Sequence, residues 1–74
     1  MTPEELRAFL ADAPDLELGL KAIREVDRDQ ETWTFDDVPV DSGIFGELVG
    51  EDVVESVGDE YRLADPNVVD RVLD

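Results

Sequence analysis

Twenty-one Asp and Glu side chains share 74 residues with only six Lys and Arg, a net charge of -15 at pH 7, and this imbalance constrains folding more than any other feature of the chain. Self-repulsion of that size opposes a compact state unless ions screen it. Acidity alone is also compatible with disorder, yet 42% of the residues are hydrophobic, and Leu, Val, Ile and Phe recur in patterned segments, which argues that a core forms. A chain this short removes only about 60% of its unfolded surface from water on folding, so it supports one modest core and reads as a single domain.

The residue inventory excludes most catalytic chemistry. There is no cysteine and no histidine, so disulfides, thiolate metal sites, the commonest general base and the commonest transition-metal ligand are all missing. No cofactor is expected and an enzyme is the remotest reading. Uninterrupted apolar stretches fall far short of the roughly 20 residues that span a bilayer, and the amino terminus lacks a basic-then-apolar signal pattern. The expectation is a cytoplasmic protein whose segment makes no membrane contact.

Only one of the six cations is a lysine, Lys21, and Val outnumbers Ile by ten to two. Lysine replaced by Asp and Glu, with valine favoured over larger aliphatics, resembles haloarchaeal proteins of potassium-rich cytoplasms. That resemblance implies a fold dependent on high potassium or sodium salt, since screening shortens the Debye length to roughly 3 Å at 1 M.

Along the chain, Thr2, Pro3 and Glu5 have the spacing of a capped helix start with a capping box, followed by the apolar stripe Leu6, Phe9 and Leu10. Asp12 and Pro14 offer a fresh cap and first turn for a second helix running to near Asp27. Leu16, Leu20 and Ile23 keep its 3.6 period, Ala22 and Val26 widen the face, and Lys21, Arg24 and Arg28 gather toward its carboxyl end. Thr32 to Phe35 has the composition of a short strand with Trp33 and Phe35 on one face. Asp41 and Ser42 then cap a short helix from about Gly43 to Val49, weakened by its glycines. The segment from Val53 to Leu63 is a hairpin. Its Gly58-Asp59 loop suits a type II′ turn and sets Val54 opposite Leu63, Glu55 opposite Arg62 and Ser56 opposite Tyr61, so that apolar pairs share one face and an ion pair lies on the other. Asp65 caps a last helix from Pro66 through Leu73. No stop signal follows Leu73, which leaves two readings open, the amino-terminal part of a longer protein or a natural end at Asp74.

Helix, short strand, turn, helix, hairpin, helix gives an α+β domain of three or four helices with a C-terminal-half hairpin. From Trp33 to Leu63 it resembles the winged helix-turn-helix family: a strand at Thr32 to Phe35, a helix at Ser42 to Val49 in the recognition-helix position, and Val53-Val-Glu with Tyr61-Arg-Leu as the wing. One departure stands out, because Asp36 to Val40, with Pro39 inside, leaves room for only about one turn where that family has its middle helix.

The resemblance implies DNA binding, and the charges oppose it. From Asp29 through Tyr61 there is no Lys or Arg against eleven Asp and Glu, whereas duplex affinity rests on cations that neutralise phosphate and on Arg reading guanine. Nucleic acid is therefore the alternative partner, with Lys21, Arg24, Arg28, Arg62 and Arg71 as its only candidate contacts. The favoured reading is a non-enzymatic regulatory or interaction module whose partner is a protein or the rest of a longer chain. Its candidate surface is Trp33, Ile44, Phe45, Leu48 and Tyr61 with the exposed hairpin edge, although a domain this small has reason to bury Trp33, Ile44, Phe45 and Leu48 in its core. Asp27, Asp29 and Glu31 imitate the start of a calcium loop, but the sixth position is Thr32 and the twelfth Val38. Gly43-Ile-Phe-Gly46 has the spacing of an RNA-clamping loop without a basic neighbour. Paired acids such as Asp36-Asp37 and Glu51-Asp52 read as solvated surface.

Overall fold

A computed structural model describes residues 1–74, and helices α1 (Pro3–Ala11), α2 (Pro14–Asp29), α3 (Ser42–Gly50) and α4 (Pro66–Leu73) accompany the strands β1 (Val54–Val57) and β2 (Glu60–Leu63). The fold is α+β, four helices with one antiparallel hairpin in the carboxyl-terminal half. No helix is long and apolar enough to cross a membrane.

Local chemistry accounts for most boundaries. The Thr2 hydroxyl accepts from the Glu5 backbone N–H at 3.2 Å and donates to the Glu5 carboxylate at 3.2 Å, so the residues expected to form a capping box do cap α1. Asp12 does not cap α2. Pro14 fixes the first helical position, which makes Ala13 the N-cap residue with no side chain to offer, and Asp12 instead closes α1. Asp15 and Glu17 in the first turn of α2 supply negative charge at its positive dipole end. Helix α2 also runs two residues beyond the expected Asp27, because tertiary partners hold the last turn: the Asp27 carboxylate bonds outside the helix, and Arg28 reaches Asp70 on α4 at 3.4 Å.

The strand expected at Thr32 to Phe35 shrinks to one bridge. Trp33 N–H donates to the Tyr61 carbonyl at 2.9 Å and Tyr61 N–H donates back at 2.7 Å. The chain then turns into a single 3-10 turn at Phe35–Asp37, where the Asp37 carboxylate accepts from the Thr34 N–H at 2.9 Å. That short turn occupies the space foreseen between Asp36 and Val40. Asp41 caps α3 by accepting from the N–H groups of Gly43 at 3.0 Å and Ile44 at 3.3 Å.

In the hairpin, Val54 pairs with Leu63, Glu55 with Arg62 and Ser56 with Tyr61, the register read from the sequence. Gly58 has a φ of 63° and Asp59 does not share the positive sign, as a type II′ turn requires. The inward members Val54 and Leu63 are buried, and Arg62 pairs with Glu55 on the outer face. Asp65 accepts from Val68 N–H at 3.4 Å to start α4, which packs mainly on α1.

Thirteen buried hydrophobic residues form one core, with Trp33, Leu6, Leu20, Ile23, Leu48, Val54 and Val69 its most enclosed side chains. A direct test of how α3 is stabilised uses Gly46, which is exposed and whose added Cβ would meet nothing within 4 Å. Gly46→Ala is expected to stabilise the domain by about 0.5–1 kcal/mol, raising the thermal midpoint by about 2–8 °C, because alanine costs less backbone entropy in a helix. Thermal unfolding followed by circular dichroism checks it; an unchanged or lowered midpoint contradicts the packing described for α3.

Candidate interaction surface

The residues proposed from sequence as a partner surface fall into two groups. Trp33, Phe45 and Leu48 are core, at 0%, 8% and 0% exposure. Their removal from the surface is a correction, and its cause is size: the junction of α3 with the hairpin has few apolar side chains to fill it. The Phe45 ring lies edge-on to Tyr61 at 4.9 Å, to Trp33 at 6.1 Å and to Phe35 at 5.1 Å, geometries favoured by aromatic quadrupoles. Ile44 and Tyr61 remain half-buried. Because Trp33 bonds to Tyr61, the open edge of the hairpin is that of β1.

Trp33 is held by a polar anchor as well as by packing. One oxygen of Asp27, Oδ1, accepts from the indole N–H at 3.0 Å and from the backbone N–H of Leu63 at 3.0 Å, tying α2 to both the bridge and β2. This is the work of the carboxylate that opened the calcium-like run, and no three acidic side chains converge as a metal site would need. Asp27→Ala is expected to cost about 2–4 kcal/mol, since two donors lose their acceptor at once, whereas Asp27→Asn keeps an acceptor oxygen and costs about 1 kcal/mol. Urea midpoints of the two variants check it, and equal midpoints would contradict the anchoring role.

The five candidate DNA contacts do not assemble beside α3. Arg24, with its side chain only 13% exposed, donates to Asp70 on α4 at 3.5 Å and to Asp74, just past the end of that helix, at 2.7 Å. The hydrogen bond to Asp74 raises its proton affinity above the ordinary arginine value, against desolvation that lowers it. Arg28 pairs with Asp70 at 3.4 Å and Glu25 at 3.5 Å, and Arg62 pairs with Glu55. Lys21 and Arg71 make no ion pair, but Arg71 lies with Arg7 at the α1–α4 side of the molecule. Arg24 and Arg28 thus serve as staples between α2 and α4, and α3 itself carries no cation.

What remains open on that side is a shallow groove of about 240 Å³ between α2 and the start of α3, walled by Leu18, Val40 and Ile44 and flanked by Asp15 and Asp41. Gly19 lines it: a Cβ there would lie 2.9 Å from Ile44 Cγ2 and 3.4 Å from Val40 Cγ1, so only glycine lets the two segments approach this closely without one giving way. Of this set, sequence reading found Ile44 and missed Leu18, Val40 and Gly19. The available signal was Leu18, an apolar residue out of phase with the Leu16, Leu20 and Ile23 stripe and therefore bound for solvent.

Comparison of the chain with protein-family models, with curated proteins and with solved structures gave no match.

Proposed function

We propose that this chain is a non-enzymatic regulatory or protein-interaction module of winged-helix-like build, belonging to a halophilic cytoplasmic protein and working through a protein partner or through further segments of its own chain. One observation carries the reading. The stretch from Asp29 through Tyr61, which holds α3 and most of the hairpin, contains no Lys or Arg, and Arg24 and Arg28 are spent on α4. A helix and wing that dock on duplex DNA need cations facing phosphate, and each missing one lowers both affinity and its salt dependence. The order of elements, with a bridge at Trp33 before α3 and the hairpin after it, supports the winged-helix comparison.

A gel-shift titration with duplex DNA, run from about 0.1 to 2 M potassium chloride, tests this, because phosphate-driven binding weakens steeply as salt rises. The expected result is no retardation at any salt at which circular dichroism reports a folded chain. Retardation under such conditions overturns the reading in favour of a DNA-binding regulator of the same build, and Lys21 and Arg71, which make no ion pair, are then the first residues to replace.

A further inference from the structure

We propose that the groove between α2 and α3 docks an amphipathic helix of a partner protein, one with a leucine-like or aromatic anchor side chain flanked by Lys or Arg. This rests on the interaction reading above and names its site and partner chemistry.

Leu18 is 64% exposed, more than any other large hydrophobic residue of the chain. It does not stand alone, since half-buried Val40 and Ile44 and exposed Pro39 line the same depression of about 240 Å³. A depression of that size accepts about one large apolar side chain, in the manner of a helix anchored in a groove. The flanks decide the sign of the partner. Asp41 uses only its Oδ2 in capping α3, leaving Oδ1 without a bond. Asp15 enters no ion pair. None of the six cations lines the groove. Lys21 is on the same helix, but 60° around the axis from Leu18 on the side away from Asp15 and Gly19, by about 100° per residue. An incoming Lys or Arg therefore meets carboxylates with unspent acceptor capacity, while an anionic surface of nucleic acid or lipid is repelled by the same groups. Charge alone gives little affinity where salt is high, which is why the apolar anchor is required.

The test uses the whole chain, labelled with nitrogen-15, in about 1 M potassium chloride, where a Debye length of about 3 Å suppresses diffuse attraction. The probe is a synthetic helical peptide with Leu at i, i+3, i+4 and i+7 and flanking Lys and Arg, compared with two isomers, one with Glu for the cations and one with Ser for the leucines. Saturable amide shifts confined to Asp15, Leu18, Gly19, Val40, Asp41 and Ile44 are expected with the basic peptide. Both isomers, and the surface variant Leu18→Ser, should bind at least about tenfold more weakly. An unchanged urea midpoint for Leu18→Ser shows that the loss is not a folding defect. Shifts spread over the whole acidic surface, no saturable shift, or wild-type affinity in Leu18→Ser each overturn the proposal. Saturable shifts gathered instead along the outer edge of β1 overturn this site while leaving the interaction reading in place; DNA retardation in the gel shift removes that reading itself.

Discussion

Trp33→Ala is expected to leave most of the chain unfolded in moderate salt. The indole is fully enclosed, packs against Phe45 and Tyr61, and sends its N–H to Asp27. Truncating a buried aromatic to alanine costs about 3–5 kcal/mol. A domain of 74 residues has about 4–11 kcal/mol in total at typical values per residue. The loss also falls where three elements meet, since the Trp33 bridge to Tyr61 and the Asp27 bonds to Trp33 and Leu63 depend on the ring holding its place. Trp33→Phe refines the test: it keeps most of the packing, loses the indole bond and leaves Asp27 still holding Leu63, for about 1–2 kcal/mol. Far-ultraviolet circular dichroism and urea titration of both variants measure these costs. A Trp33→Ala midpoint equal to the wild type would show that the ring is not the centre of this core.

Dilution of salt is expected to unfold the unmodified domain. The net charge of -15 is confined within 29 × 23 × 19 Å. At about 0.01 M salt the Debye length is about 30 Å, so every carboxylate feels every other; at about 1 M it is about 3 Å, and only touching groups interact. Relief of repulsion on expansion is then on the order of several kcal/mol, comparable with the whole stability of a small domain. Ion pairs pull the other way, because salt weakens them, but exposed pairs contribute only about 0–1 kcal/mol each. The pairs of Arg28 and Arg62 are exposed, and only those of Arg24 involve a largely buried guanidinium. Added salt therefore stabilises on balance. Trp33 is the sole tryptophan and is buried, so its emission reports the transition: a shift to longer wavelength as potassium chloride is diluted, reversed on adding it back. A urea midpoint indifferent to salt over this range would refute the electrostatic argument.

These two expectations draw on different levels of the molecule. Salt dependence follows from a count of side chains, whereas the weight on Trp33 needed coordinates. The sequence showed that Trp33 sits near a strand-like segment, and it equally allowed an exposed platform, because burial of an indole is decided by what other segments bring to it. The same holds at α3. An apolar run at Ile44, Phe45 and Leu48 reads identically whether it faces a core or a partner, and the hairpin with its aromatic Tyr61 claimed Phe45 and Leu48 for the interior. Leu18 shows the converse, since its phase in α2 marked it for exposure while the company of Val40 and Ile44 lay beyond local reading. Asp27 shows where motif logic stops: Thr32 and Val38 already ruled its run of acids out as a calcium loop, but only the fold brings the Trp33 indole and the Leu63 N–H to its carboxylate.

What the sequence alone determined is local and periodic: the four helices, the Thr2, Asp41 and Asp65 caps, the II′ turn and the hairpin register, each fixed by neighbours a few residues apart. Caps and turns are short-range hydrogen bonds and backbone preferences, so a single segment carries its own instructions. Only the tertiary structure decided which cations are spent in pairs, which apolar residues remain outside, and that Gly19 lets α3 close against α2. Those outcomes depend on close packing and on charge partners brought from up to 50 residues away, as with Arg24 and Asp74, and no local pattern encodes them.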